Sequence, residues 1–160
     1  MQKIISSLIL ILFITVSCGG SKETAKLNTG AVTYETPNAK FLRENAAKEG
    51  VVTLPSGLQY KILREGTGPS PGLDDKVVVH YKGELINGTE FENSYKRGKA
   101  NEFKVSGVIP GWTEALQLMK VGAKWQIVIP PDIGYGLRTS GPIPMNSILI
   151  FETELLQIVK

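Results

Sequence analysis

The stretch Lys76 to Leu85 constrains the fold most. Val77, Val79, Tyr81 and Leu85 fall on one face, and Lys76, His80, Lys82 and Glu84 on the other. That is the period of a strand with one face buried and one face wet. Asn87-Gly88 follows at once, between Leu85-Ile86 and Thr89-Glu90-Phe91. It is the strongest short signal for a β-hairpin, so the sheet is antiparallel from here. Two more alternations point the same way. Leu58, Tyr60 and Ile62 interleave with Gln59, Lys61 and Leu63, and Ala123, Trp125, Ile127 and Ile129 interleave with Lys124, Gln126 and Val128. Ser147 to Val159 reads as a long final strand. Its alternation slips around Thr153 to Leu156, which predicts a bulge or a change of partner.

Between Val51 and the C-terminus only one stretch has helical spacing. Trp112, Ala115, Leu116 and Met119 share a face within Gly111–Met119, with Pro110 before it and Gly122 punctuating its end. The 17 Gly and 9 Pro favour turns and hence β structure over a helical bundle. The expected fold is α+β: a bent antiparallel sheet half-wrapped around one short α-helix. A further short helix is predicted over 38–50, N-capped by Asn38, with Phe41, Leu42 and Ala46 on one face and Gly50 as the stop. It is too short to stand alone in water, so it docks or frays. The domain proper runs over 51–160.

The chain opens with an address. Lys3 gives a positive start, and Ile4 to Val16 is apolar apart from Ser6, Ser7 and Thr15. The run suits an export signal over 1–17 and is short for a spanning helix of about 20 residues. Thr15-Val16-Ser17-Cys18-Gly19 places small residues before the only Cys and resembles a bacterial lipobox. The resemblance implies cleavage before Cys18, lipidation of Cys18, and anchoring to a lipid bilayer in the cell envelope, with the outer membrane favoured. An ordinary secretory signal with an incidental Cys is the alternative. The segment 18–37 is rich in Ser, Thr, Lys, Asn and Gly and reads as a flexible tether.

Several function classes drop out. With one Cys and one His the chain has no internal disulfide and no multi-Cys or multi-His zinc site. A net charge of +3 with mixed signs gives no argument for nucleic acid. G-x-S-x-G, the P-loop and the dinucleotide glycine pattern are missing. His80 sits on the polar side of its strand and reads as structural. Asp74-Asp75 reads as a solvated strand entry, and Glu152 with Glu154 as a solvent face. Aromatic residues remain: Tyr81, Phe91, Phe103, Trp112, Tyr135 and Phe151, each in a different segment. On composition alone they are plain core.

Their order says more. Val77 to Gly83, Asn87 to Ser94 with Phe91-Glu92, Val108-Ile109-Pro110-Gly111-Trp112, Val121-Gly122, Ile129-Pro130-Pro131, Gly134-Tyr135-Gly136, Ile143-Pro144 and Leu149 to Glu152 run in sequence. Together, over roughly Leu58 to Val159, they resemble the FKBP-type peptidyl-prolyl cis–trans isomerases. Phe41-Leu42-x-x-Asn45 leading to Ser56-Gly57-Leu58-Gln59-Tyr60 looks like the bacterial macrophage-infectivity-potentiator-like branch. The long dimerisation region of that branch is missing between Cys18 and the short helix, so a monomer on a tether is expected.

The resemblance implies a shallow apolar pocket and an isomerase that needs no cofactor. Tyr81 and Phe91 form one wall, Phe103 and Phe151 another, and Trp112 the floor. Val108 and Ile109 line the edge, the Ile109 N–H donates to a bound carbonyl, Tyr135 offers its hydroxyl, and Ile143 closes the rim. The implied partners are proline-containing unfolded or flexible polypeptides and macrolide inhibitors. Three positions depart from the family pattern. Glu92 stands in place of Asp, Gly134 in place of Ala, and Met145 in place of a second Pro. The loop Leu137 to Asn146 also lacks the frequent histidine. Two readings stay open: a folding isomerase of exported proteins, or a non-catalytic proline-binding or chaperone module. Glu92 keeps the second open, since its longer carboxylate could crowd the pocket mouth or reach Tyr135.

Overall fold

β3 (Lys76–Leu85) organises the sheet. It pairs along its whole length with β7 (Leu149–Val159) on one side. On its other side it pairs twice, with β5 (Asn101–Lys104) near its start and β4 (Glu90–Asn93) near its end. β6 (Lys124–Ile129) adds to the far side of β7, then β2 (Gln59–Arg64) and β1 (Val51–Thr53), giving the order β1-β2-β6-β7-β3-β4 with every pairing antiparallel. The structure is a computed structural model that describes residues 35–159. The signal segment 1–17, Cys18 and most of the expected 18–37 tether lie outside the described residues.

The alternation of β3 is obeyed: Val77, Val79, Tyr81 and Leu85 are buried. The turn at Asn87-Gly88 differs from a two-residue hairpin. Gly88 has φ +82° while Asn87 is not in the left-handed region, Gly88 N–H donates to Leu85 O, and the Leu85 N–H donates to Thr89 O. A one-residue shift at Gly83/Glu84 absorbs the difference. The slip expected in the last strand is a bulge. Val78 pairs with Gln157 and Val79 with Leu155, so Leu156 is the extra residue.

α2 (Pro110–Leu118) lies on the inner face of the sheet. Pro110 opens its first turn, where a missing N–H costs nothing. Trp112, Ala115, Leu116 and Met119 turn inward and meet Val77, Val79, Ile127 and Leu155 in one core. Burying each large side chain contributes about 1.5–3 kcal/mol, enough to hold a helix that could not persist by itself.

The N-terminal helix departs from expectation. α1 spans Pro37–Ala46. Its cap is Thr36, not Asn38: the Thr36 hydroxyl accepts from the Ala39 N–H, and Pro37 takes the first helical position. It ends with Ala47 as its cap, and Gly50 lies beyond it at φ +76° as a separate turn. Its inward face carries Asn45, which is buried, instead of Ala46, which is exposed. The cause is Gln59. Its side-chain amide donates to Leu42 O at 2.9 Å and its oxygen accepts from Asn45 at 2.8 Å. α1 thus covers the outer face of β2, which the sequence pattern reads as wet. Val128, the cross-strand partner of Gln59, is buried as well.

Candidate active site

Trp112 is the floor of the site. It is the third residue of α2, and the start of that helix abuts the centre of the sheet. The rings of Tyr81 and Phe151 stand edge-on to it, with centroids at 5.1 Å and 5.2 Å. Phe103 meets it at 6.0 Å, and Phe91 packs edge-on against Phe151 at 5.5 Å. Edge-to-face packing suits aromatic quadrupoles and fixes each ring by its neighbours. The strands explain the grouping. Tyr81 on β3 and Phe151 on β7 point to the inner face, and the two partners of β3 bring Phe91 and Phe103 in from its other side.

A glycine makes this closeness possible. A Cβ on Gly83 would lie 2.5 Å from Cε2 of Phe91 and 2.8 Å from Cε1 of Phe151. Only a residue without a side chain lets both rings close over β3 at that point.

The result is a cleft of about 630 Å³. Tyr81, Phe91, Glu92, Phe103, Val108, Ile109, Trp112, Tyr135, Ile143 and Phe151 all line it, so it gathers every pocket residue expected from the sequence. Cys18 lies outside the described residues. The edge is mixed. Tyr135 is half-exposed and follows the short turn Pro131–Ile133. The Ile109 N–H has no hydrogen-bond partner among the described residues, and Ile109 sits at the start of α2. The loop carrying Ser140, Gly141, Pro142 and Ile143 forms the opposite lip.

Glu92 lines the cleft with its carboxylate engaged. One oxygen is taken by Arg97 Nη1 and by the N–H of Asn93. Arg97 Nη2 donates to Asn101 at 2.6 Å, which spans the segment between β4 and β5. Arg97 is the functional candidate that sequence reasoning missed. Nothing in the spacing of Glu92 and Arg97 marks them as partners, because the segment joining β4 to β5 has no periodicity to read. Burial pushes the Tyr81 phenol up, and the nearby Arg97 charge works against that rise.

His80 is structural. Its Nδ1 lies 2.8 Å from Ser94 Oγ, and that oxygen also accepts from the Tyr81 N–H. Tyr95 stacks on the imidazole at 4.7 Å, and its hydroxyl donates to Glu154. Glu154 also binds Arg64 at 2.5 Å, and Glu152 binds Lys124 at 2.6 Å, so this face is a lattice of charged pairs and not a bare solvent face. Asp75 accepts from the Gly72 N–H, and Asp74 pairs with Lys104, as suits a strand entry.

The chain resembles known proteins. Residues 68–156 match the FKBP-type peptidyl-prolyl cis-trans isomerase family, and residues 15–62 match the domain amino terminal to it. The chain is 48% identical over 141 residues to "Outer membrane protein MIP" of Legionella longbeachae, covering 88% of this chain and 60% of that protein. It is 53% identical over 121 residues to the FKBP-type 22 kDa peptidyl-prolyl cis-trans isomerase of Escherichia coli K12, covering 75% of this chain and 59% of that protein. The crystal structure of FkpA from Escherichia coli superposes with a TM-score of 0.74 at 45% identity, over 76% of this chain and 57% of that one. The chain thus spans about 60% of the length of the two relatives. The cleft, the sheet around it and the matched residues agree, and the chain belongs to the FKBP-type peptidyl-prolyl cis–trans isomerase family, in its Mip-like branch.

Proposed function

We propose that the chain accelerates cis–trans rotation of X-Pro bonds in exported polypeptides. The observation that carries this reading is the cleft floor: Trp112 ringed by Tyr81, Phe103 and Phe151, with an Ile109 N–H that has no partner among the described residues and the Tyr135 side chain at the edge. Rotation about a peptide bond costs about 18–20 kcal/mol because it breaks amide resonance. For X-Pro the two planar forms are close in energy yet exchange over tens to hundreds of seconds. No covalent step is needed. The site has only to bind the twisted amide better than either planar form.

A twisted amide has lost much of its charge separation, so a dry aromatic cleft suits it better than water does. The proline ring fills the space over Trp112. The Ile109 N–H and the Tyr135 hydroxyl hold the preceding carbonyl while the rest of the chain turns. Each 1.36 kcal/mol removed from the barrier speeds rotation tenfold. Tyr81, Phe91, Glu92, Trp112, Tyr135 and Phe151 are assigned the catalytic surface, and Phe103, Val108, Ile109 and Ile143 the substrate contacts. Glu92 no longer favours a purely binding module, since Arg97 holds its carboxylate.

The deciding experiment follows isomerisation of a short peptide with an apolar residue before Pro, with and without a macrolide. Acceleration that the macrolide removes supports the reading, and binding without acceleration overturns it. Tyr135→Phe lowers the rate much more than peptide affinity.

We assign residues 1–17 to an export signal, Cys18 to lipidation, 18–37 to a tether, 38–50 to a short helical segment and 51–160 to the isomerase domain, which serves as a folding helper. Small residues before the only Cys, and the relative named as an outer membrane protein, support an envelope location. Several acyl chains at about 0.8 kcal/mol per buried CH₂ give durable anchoring. Cys18→Ser abolishes palmitate incorporation on this reading.

A further inference from the structure

We propose that Asn38 of α1 is a positioning residue for the binding cleft, acting through Asn146 on the loop that forms its lip; the inference rests on the isomerase reading for its effect on rate, though not for the contact itself. The loop Leu137 to Met145 carries Ile143, buried against the cleft, together with Ser140, Gly141 and Pro142. Its two ends meet at one clamp: the Asn146 N–H donates to Gly136 O at 2.7 Å. Asn146 is the only non-glycine with positive φ among the described residues, at +58°. Asn is among the few side chains that accept that region, so the position is built for it.

With its N–H turned back to Gly136, the Asn146 carbonyl is free to take a donor from elsewhere. That donor is Asn38, whose side-chain N–H reaches Asn146 O at 2.8 Å across 108 residues of sequence. The far end of the same helix is fixed independently. Asn45 and Leu42 are bonded to Gln59 on β2. Seven residues of helix at about 1.5 Å each separate the two attachments, so α1 spans roughly 10 Å as a strut from the outer face of β2 to the base of the lip. A helix needs no such side-chain bond to form, and Thr36 already supplies its cap. The bond serves the loop.

The contact makes the helix beyond the sheet part of the site. The floor and walls are fixed by ring packing, whereas the lip is held by buried Ile143, by its short Ser140–Ile143 bridge and at its base. What Asn38 sets is therefore where Ile143 and its neighbours stand over a bound chain, and this acts on substrate binding more than on the floor.

The test uses the full chain with Asn38→Asp and Asn38→Ala. Aspartate keeps the shape, removes the donor and sets a carboxylate against the Asn146 carbonyl. It also favours the helix, since negative charge is stabilising in a first turn. Alanine is the best helix former. Neither variant therefore weakens α1 by itself, and a role confined to helix stability predicts slower exchange in α1 and no change in the loop. The proposal predicts faster amide hydrogen exchange across 137–146 in both. It also predicts a roughly threefold loss in kcat/KM on an X-Pro tetrapeptide, the scale of one neutral hydrogen bond, carried by a higher KM with kcat held. Parent-like loop exchange in both variants overturns it. So does faster loop exchange with an unchanged KM. If the parent itself shows no turnover, the isomerase reading falls, while loop exchange still decides whether Asn38 holds the lip.

Discussion

Arg97 holds Glu92 at the mouth of the cleft from one arm of its guanidinium and holds Asn101 from the other. Both partners of the pair are more than a third exposed, 42% for Arg97 and 37% for Glu92. Exposed pairs contribute about 0–1 kcal/mol, so the pair is poorly placed to stabilise the fold and well placed to direct a carboxylate. Arg97→Ala is expected to change stability by less than about 1 kcal/mol while lowering kcat/KM roughly fivefold, as Glu92 swings free beside Tyr81. The double variant Glu92→Ala/Arg97→Ala is expected to lose no less than Arg97→Ala but less than the two single losses combined, because the pair acts as a unit. Urea titration and a double-mutant cycle in kcat/KM check both halves.

Gly83 is the position least able to accept a side chain without harm to the site. The added Cβ of Gly83→Ala meets both Phe91 and Phe151 inside contact distance. Phe151 is not free to retreat, since it is also fixed by Trp112 and Tyr81. Overpacking of this kind costs about 1–3 kcal/mol. The expected outcome is a folded protein, destabilised within that range, with kcat/KM down more than about tenfold as the walls part. Thermal melting and peptide isomerisation read the two effects separately.

Tyr95 contributes to how stability falls at high pH. Burial, then the carboxylates of Glu154 and Glu152, push its phenol up to about 12 from 10.0. A group whose folded pKa is raised stabilises fully below its unfolded value, and that stability drains as pH climbs towards the folded one. The loss from Tyr95 thus falls between about pH 10 and 12. Tyr95→Phe is expected to flatten the stability curve in that window relative to the parent. Equilibrium unfolding at stepped pH shows it, and parallel curves would remove Tyr95 from the account.

The buried amide pair under α1 tests what holds that helix. Asn45→Ala leaves one buried Gln59 oxygen without its donor, at a cost of about 1–3 kcal/mol. Replacing both partners by leucine recovers part of the loss, because the pair goes together while Leu42 O still loses its Gln59 donor. Denaturant midpoints for the single and double variants distinguish a polar clamp from simple shape filling.

Strands with one covered face were legible from sequence, because alternation reports burial directly. Val77, Val79 and Tyr81 showed their face, and the slip after Thr153 marked the bulge at Leu156. The ten cleft residues were legible only through the family resemblance, since aromatics at those positions read equally well as core. The face of β2 under α1 was not legible. Gln59 looks like a solvated residue until a helix is known to cover it, and Asn45 gives no apolar signal. Arg97 and Asn38 escaped for a related reason. Each acts through a bond to a residue on another segment, and no local period encodes such a bond.

The place of β7 has a consequence for how the molecule comes into being. It is the last of the described strands along the chain, yet it lies between β6 and β3. Without it the sheet is two unconnected parts, β1-β2-β6 and β3 with β4 and β5. A chain emerging from the ribosome or threading through a membrane pore therefore holds no cleft until its final strand is out, since Phe151 itself arrives on that strand. On the proposed reading of export, the chain would cross its boundary without a cleft, and the surface proposed to take proline would form only when β7 closes the sheet.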